Sequence, residues 1–207
     1  SGSFSVEYPT NWYVYQEVED ESGWSMTQFV DDDNSWTSLF TVEGFELSND
    51  DESFYESTTD DGIIQELKEN EKTWCDTQTY SEQDQICYNF EIINSDIKTL
   101  DSGHKAFVLS EKYTLQYGPD FPGEFPITAV VTEIHNGNDG WAIYTESDDA
   151  AYPMHKEKIM NFIQSFSLSD KSNSIQIPPT TSTPSPQFTG IAVPSPQPQT
   201  TIPTQSK

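Results

Sequence analysis

The sequence predicts an α+β fold: an antiparallel β-sheet flanked by helices, followed by an extended C-terminal tail. Three observations lead there. Short runs of alternating apolar and polar residues recur between turn residues, two segments carry helical periodicity instead, and the composition changes abruptly near residue 170.

Taken in order, Phe4, Val6 and Tyr8 alternate with Ser5 and Glu7, the pattern of a half-buried strand. Pro9-Thr10-Asn11 ends it, because proline cannot donate to a sheet ladder and all three residues suit a turn. Trp12, Val14, Gln16 and Val18 open a second run, so residues 4–18 read as strand, tight turn, strand. Residues 24–30 form a further strand, and Asp31-Asp32-Asp33-Asn34-Ser35 turns into another over 36–45. Residues 47–52 read as an acidic loop. A helix then starts between residues 53 and 59 and runs to about Asn70; Ile63, Ile64 and Leu67 supply its apolar stripe, and Asp60 and Asp61 suit its positive end.

Residues 71–87 are a polar excursion carrying both cysteines, Cys75 and Cys87, with Trp74 and Tyr88 beside them. Without further Cys or His ligands nearby, the pair suits a disulfide closing a hairpin-like loop better than a metal site. Such a bond favours an oxidising, extracytoplasmic compartment. Strands follow at 88–94, briefly at 97–100, and at 105–117 beyond the Asp101-Ser102-Gly103-His104 turn. Residues 118–123 are a loop. Strands at 125–135 and 141–145 flank Asn136-Gly137-Asn138-Asp139-Gly140, a strong hairpin signal. The last element is a helix from Pro153 to Phe166, with Ile159, Phe162, Ile163 and Phe166 on one face.

Residues 1–170 therefore form an acidic folded domain, and 171–207 a Pro/Thr/Ser/Gln-rich linker or tail. The tail holds eight of the thirteen prolines, one aromatic residue and no Asp or Glu. It cannot bury enough apolar surface to offset its ordering entropy, and its Ser/Thr-Pro runs are candidates for O-glycosylation. Protease is expected to remove it without loss of the fold. The chain starts at Ser1-Gly2-Ser3 without an initiator Met, which fits a removed or replaced leader.

The formal charge is −26, from 35 acidic residues against nine lysines and no arginine. That field repels phosphate and the guanidinium fork is missing, so nucleic acid and anionic lipid are excluded as partners. No apolar run is long enough to span a bilayer. Self-repulsion should destabilise the folded part, and salt should relieve it. Melting temperature is therefore expected to rise with NaCl as the Debye length falls from about 30 Å to about 8 Å; a flat profile over that range would refute the repulsion.

Candidate sites are few. Asp31, Asp32 and Asp33 could hold Ca²⁺ through carboxylate oxygens. Trp36 and Val42 stand where an EF-hand has Gly and Glu, which favours a solvated turn. Asp50-Asp51-Glu52, Asp60-Asp61 and Asp148-Asp149 read as loop or helix-start charge. His104, His135 and His155 are scattered and read as surface residues. Trp12, Trp24, Trp36, Trp74 and Trp141 could line a sugar site, but strand alternation makes most of them core. No nucleophile context or glycine-rich phosphate loop occurs, so no catalytic or cofactor-binding residue is assigned.

Several stretches together resemble the PsbP-like family, in a cell-surface, archaeal-type form with a Pro/Thr/Ser-rich tail. They are Phe4-Ser-Val-Glu-Tyr-Pro-Thr-Asn-Trp12, Ile63 to Asn70, Ala106 to Tyr117, Trp141-Ala-Ile-Tyr144 and Ile159 to Phe166, and their order and spacing cover most of residues 4–168. The family's fold is shared by an extrinsic photosystem II subunit and a small Ran-binding protein. The resemblance implies a non-catalytic, extracytoplasmic accessory role through protein–protein contacts, with a membrane complex as one partner class and weak cation binding in some members. The alternative is a subunit of a surface layer or extracellular filament. The cysteine excursion and the acidity depart from the family pattern.

Overall fold

A computed structural model describes residues 4–20, 23–31, 38–78, 86–117 and 123–168. The tail from 171, Asp32 and Asp33, Trp36, the 118–122 loop and residues 79–85 of the cysteine excursion lie outside the described residues.

Seven antiparallel strands form one sheet. They are β2 (Trp12–Glu19), β3 (Ser25–Asp31), β4 (Ser38–Glu46), β5 (Ile86–Thr99), β6 (Lys105–Gln116), β7 (Glu124–Asn136) and β8 (Asp139–Asp148), in the order β2-β3-β4-β8-β7-β6-β5. The β7–β8 hairpin turns on Gly137 at φ +60°, the conformation a type II′ turn needs at its first central residue. The expected opening hairpin is corrected. Trp12 N–H does bond to the Pro9 carbonyl at 2.9 Å, so the turn is real. However, β1 (Phe4–Ser5) pairs with β9 (Ser167–Leu168) and not with β2. Phe4 stacks on Phe166 at 5.6 Å, and Glu7 N–H donates to Ser165 Oγ at 2.8 Å.

The helices also differ from expectation. The acidic stretch expected as a loop is α1 (Asn49–Ser57), started by a capping box in which Ser48 Oγ accepts from Asp51 N–H and the Asp51 carboxylate accepts from Ser48 N–H. Its acidic first turn suits the positive helix end. α2 (Asp60–Gln78) continues eight residues past Asn70, so Cys75 is helical and the excursion is not hairpin-like. The disulfide joins Cys75 to Cys87, tying the end of α2 to the start of β5 with Cα atoms 5.1 Å apart. With 12 residues of separation, losing it through the paired Cys→Ser change should cost about 3 kcal/mol on the chain-entropy model. Urea denaturation checks this; an unchanged midpoint would mean that the crosslink constrains nothing the rest of the fold does not.

α3 (Tyr152–Gln164) covers one face of the sheet. Ile159, Phe162 and Ile163 pack with Trp12, Phe40, Val130, Ile134, Trp141 and Ile143. On the opposite face Ile63, Ile64 and Leu67 of α2 pack on Phe107, Leu109 and Val131. Further along, Cys75 and Cys87 pack on Tyr113 and Leu115. Both cores follow from period-2 alternation: Ala106 and Val108 face α3, whereas Phe107, Leu109 and Tyr113 face α2. At the sheet edge β5 is one strand with two register shifts. Asn89 takes φ +57° within the first, a conformation asparagine tolerates better than most residues.

Candidate functional site: a recess lined by glutamates

α2 packs on β5 and β6 and leaves the rest of its face of the sheet less covered. Beside it lies a cavity of about 490 Å³, floored by β6, β7, β8 and β4 and walled by Asn70, Glu71 and Trp74 of α2.

Strand register decides which side chains stand on this face of the sheet; Glu133 and Ala142 lie beside the cavity, and the other members of its cross-strand rows line it. One cross-strand row reads Glu111 of β6, Ala129 of β7, Glu146 of β8. Four residues along, a row reads Glu133 of β7, Ala142 of β8, Glu43 of β4. Between them lies Val131, Tyr144, Thr41. Each outer row thus places two carboxylates on either side of an alanine, whose small side chain leaves room between them. Adjacent strands are about 4.8 Å apart, so the paired glutamates are separated by about twice that at the backbone.

Glu111 is the most deeply placed, 1% exposed, and its Oε2 has no hydrogen-bond partner. Burial, then the charges of Glu71 and Glu146, push its pKa up to about 8. Burial, with Glu133 and Glu146, lifts Glu71 to about 7. Glu133 is raised to about 7 by burial and then Glu66. Burial also raises Glu43, despite a hydrogen bond from Trp24. Tyr113 Oη donates to Glu146 Oε1 at 2.6 Å, and burial together with that carboxylate holds the phenol protonated. Trp74 meets the Tyr113 ring edge-on, with centroids 5.4 Å apart. Near neutral pH the recess therefore carries carboxyl groups poised between their neutral and charged forms.

The residues singled out in the sequence lie elsewhere. Asp31 ends β3 opposite Trp12. Asp60 accepts from Lys105 Nζ at 2.8 Å, and Asp51 serves the helix cap. The histidines do not act together: His104 contacts Ser102 beside a turn and His155 is buried on α3. His135 stacks on Tyr55 with centroids 3.6 Å apart, and burial lowers its pKa to about 4. His135 and His155 are thus not the surface residues expected. Trp12 and Trp141 are core, and Trp74 lines the recess. Among the described residues, no three His, Cys, Asp or Glu side chains converge closely enough to hold a metal ion. The recess glutamates went unseen in the sequence because a charge there reads as surface. The available signal was phase: Glu111 alternates in step with Leu109, Tyr113 and Leu115, all core residues.

Several solved structures are similar to this chain. The solution structure of cyanobacterial PsbP (CyanoP) from Synechocystis sp. PCC 6803 is similar with a TM-score of 0.50 at 18% identity, over 80% of this chain and 86% of that one. The Saccharomyces cerevisiae Ran-binding protein Mog1p gives 0.48 at 11% identity, over 82% and 92%. LpqN of Mycobacterium tuberculosis, involved in cell envelope biogenesis, gives 0.43 at 9%, over 82% and 85%. No family model matches the sequence, and no curated protein does. The first of these likenesses makes the fold PsbP-like; it assigns no residue a role.

Proposed function

We propose that this chain of PsbP-like fold is a non-catalytic, extracytoplasmic accessory module that binds its ligand in the recess between α2 and the sheet. The observation that carries the reading is Glu111: a carboxyl group 1% exposed, unpaired at Oε2, on the floor of a cavity large enough for a small molecule. A fold gains nothing from an unsatisfied buried carboxyl group, so its presence in a cavity fits a group that a ligand completes. The Cys75–Cys87 disulfide supports the compartment. The absence of a nucleophile context in the sequence supports binding over turnover. Among the described residues no helix is long and apolar enough to cross a membrane.

Contacts with a protein partner are supported by the edge strand β2, where Tyr13, Val14 and Tyr15 are all well exposed. Self-assembly into a layer or filament would use the same edge. Sedimentation over a range of concentrations separates the two: a monomer throughout favours a foreign partner.

The pocket reading is tested by filling the recess with Ala129→Trp, alongside a thermal-shift panel of small cations, anions and neutral sugars. At least one class should stabilise the native chain saturably, and the filled variant should lose that response. Stabilisation that survives the filling places the ligand elsewhere, and chemical conversion of a bound compound would refute the non-catalytic role.

A further inference from the structure

We infer that the recess takes a small organic ammonium ion, with Glu111 as its counter-charge and the rings of Trp74 and Tyr144 beside it. This rests on the pocket reading above and adds the ligand's chemical class. The charged side chains lining the cavity are all carboxylates, Glu43, Glu71, Glu111 and Glu146, so among the described residues the lining favours a cation. The unpaired Glu111 Oε2 needs a hydrogen-bond donor, which an ammonium N–H supplies with its charge.

Two features favour an organic ion over an atomic one. The glutamates stand around a cavity of about 490 Å³ and do not converge on a single point, so they suit an ion with a body of its own. Beside neutral polar groups such as Asn70 and Thr41, the lining carries the aromatic rings of Trp74, Tyr113 and Tyr144 and the aliphatic Leu39 and Val131. Aromatic faces attract alkylammonium groups while accepting their carbon substituents.

Proton release should accompany binding. The groups facing Glu111 are Glu71 from α2, Glu146 and Tyr144 from β8, and Tyr113 on its own strand. With the recess empty, burial and the neighbouring carboxylates favour the protonated form of Glu111 and Glu71. A cation among them favours the charged form, so each carboxyl group that pairs with it gives its proton to solvent. Affinity therefore rises with pH through the range of about 7 to 8 in which these groups titrate.

Calorimetric titration of the full chain tests this, with methylammonium and tetramethylammonium chloride as probes. NaCl and CaCl₂ at matched ionic strength, and a neutral monosaccharide, serve as comparisons. Saturable binding of an ammonium probe is expected, with a heat that depends on the buffer's ionisation enthalpy because protons are released. Glu111→Gln should weaken binding at least about tenfold, and Trp74→Leu should weaken it less. Glu43→Gln, on the far side of the recess, supplies a second variant should Glu111→Gln not fold. The inference is overturned if Na⁺ or Ca²⁺ gives the same saturable heat, or if ammonium binds equally to the folded glutamine variants. A monosaccharide that binds where ammonium does not overturns the ammonium class and leaves the pocket reading standing. No response to any probe, here or across the thermal-shift panel, overturns both.

Discussion

Glu111→Gln should stabilise the protein at pH 8 and leave its stability nearly unchanged at pH 4. In the fold Glu111 holds its proton up to about pH 8, whereas in the unfolded chain it ionises near its ordinary value of 4.5. Below that value both states are protonated and the residue costs nothing on this account. As pH rises the unfolded chain gives up its proton first, so stability falls until the folded pKa is passed. Each tenfold difference in proton affinity is worth about 1.4 kcal/mol, which puts the full effect on the order of 3 kcal/mol once coupling to Glu71 and Glu146 is allowed for. For a domain of this size that is a rise in Tm of roughly 5–10 °C. Glutamine keeps the shape of the neutral carboxyl group and cannot ionise, so it removes the loss without emptying space. Repulsion among the surface carboxylates also lowers stability with rising pH, but it acts on both proteins and cancels in their difference. Urea denaturation across pH 4 to 9 measures the gap. A variant less stable at pH 8, or an equal gain at both ends, would show that Glu111 is not held neutral.

That instability links the fold to its proposed use. A carboxyl group that destabilises the empty protein near neutral pH is compensated when a cation pairs with it, so the cost of burying it is returned on binding. Stabilising the recess by Glu111→Gln should then reduce the ligand's own stabilising effect, in step with its weaker binding.

The sheet was largely legible in the sequence because its strands alternate cleanly and its turns are punctuated by Gly, Pro, Asn and Asp. Residues 105–117, 125–135 and 141–145 correspond to β6, β7 and a longer β8. The face of α3 was readable from Ile159, Phe162, Ile163 and Phe166, all buried. What failed was long-range. Phe4 and Ser5 have strand alternation, but nothing local says that their partners lie at Ser167 and Leu168. α1 was lost because Asn49-Asp50-Asp51 looks like a loop; only the reciprocal bonds between Ser48 and Asp51 turn it into a helix start. α2 was cut short at Asn70, since the polar residues beyond it hide a continuing helix that the disulfide anchors. The recess was illegible for a related reason. Glu43, Glu111, Glu133 and Glu146 sit on four strands, and only cross-strand register assembles them into rows. In so acidic a chain these four glutamates are hidden among 35 acidic residues.

Phe162→Ala should be the most damaging single change on the α3 side, at about 3–5 kcal/mol. Phe162 is 1% exposed, and its ring centroid lies 5.1 Å from Phe40, 5.3 Å from Phe29 and 6.3 Å from Trp12. One side chain thus joins α3 to β2, β3 and β4, including the edge strand. Truncation removes the buried area of a ring and leaves a cavity that its aromatic neighbours cannot close without giving up their own contacts. Phe162→Leu refills part of the space and should recover more than half of the loss. The recess lies on the other face of the sheet, so the two effects are separable. Where Phe162→Ala remains folded, Glu111 should retain its raised pKa and the pH-dependent gain from Glu111→Gln should be unchanged. Denaturation of the two single variants and their double gives the answer. Additive changes place the core and the recess on independent faces, whereas strong coupling would mean that α3 sets the geometry of the glutamate rows through the sheet.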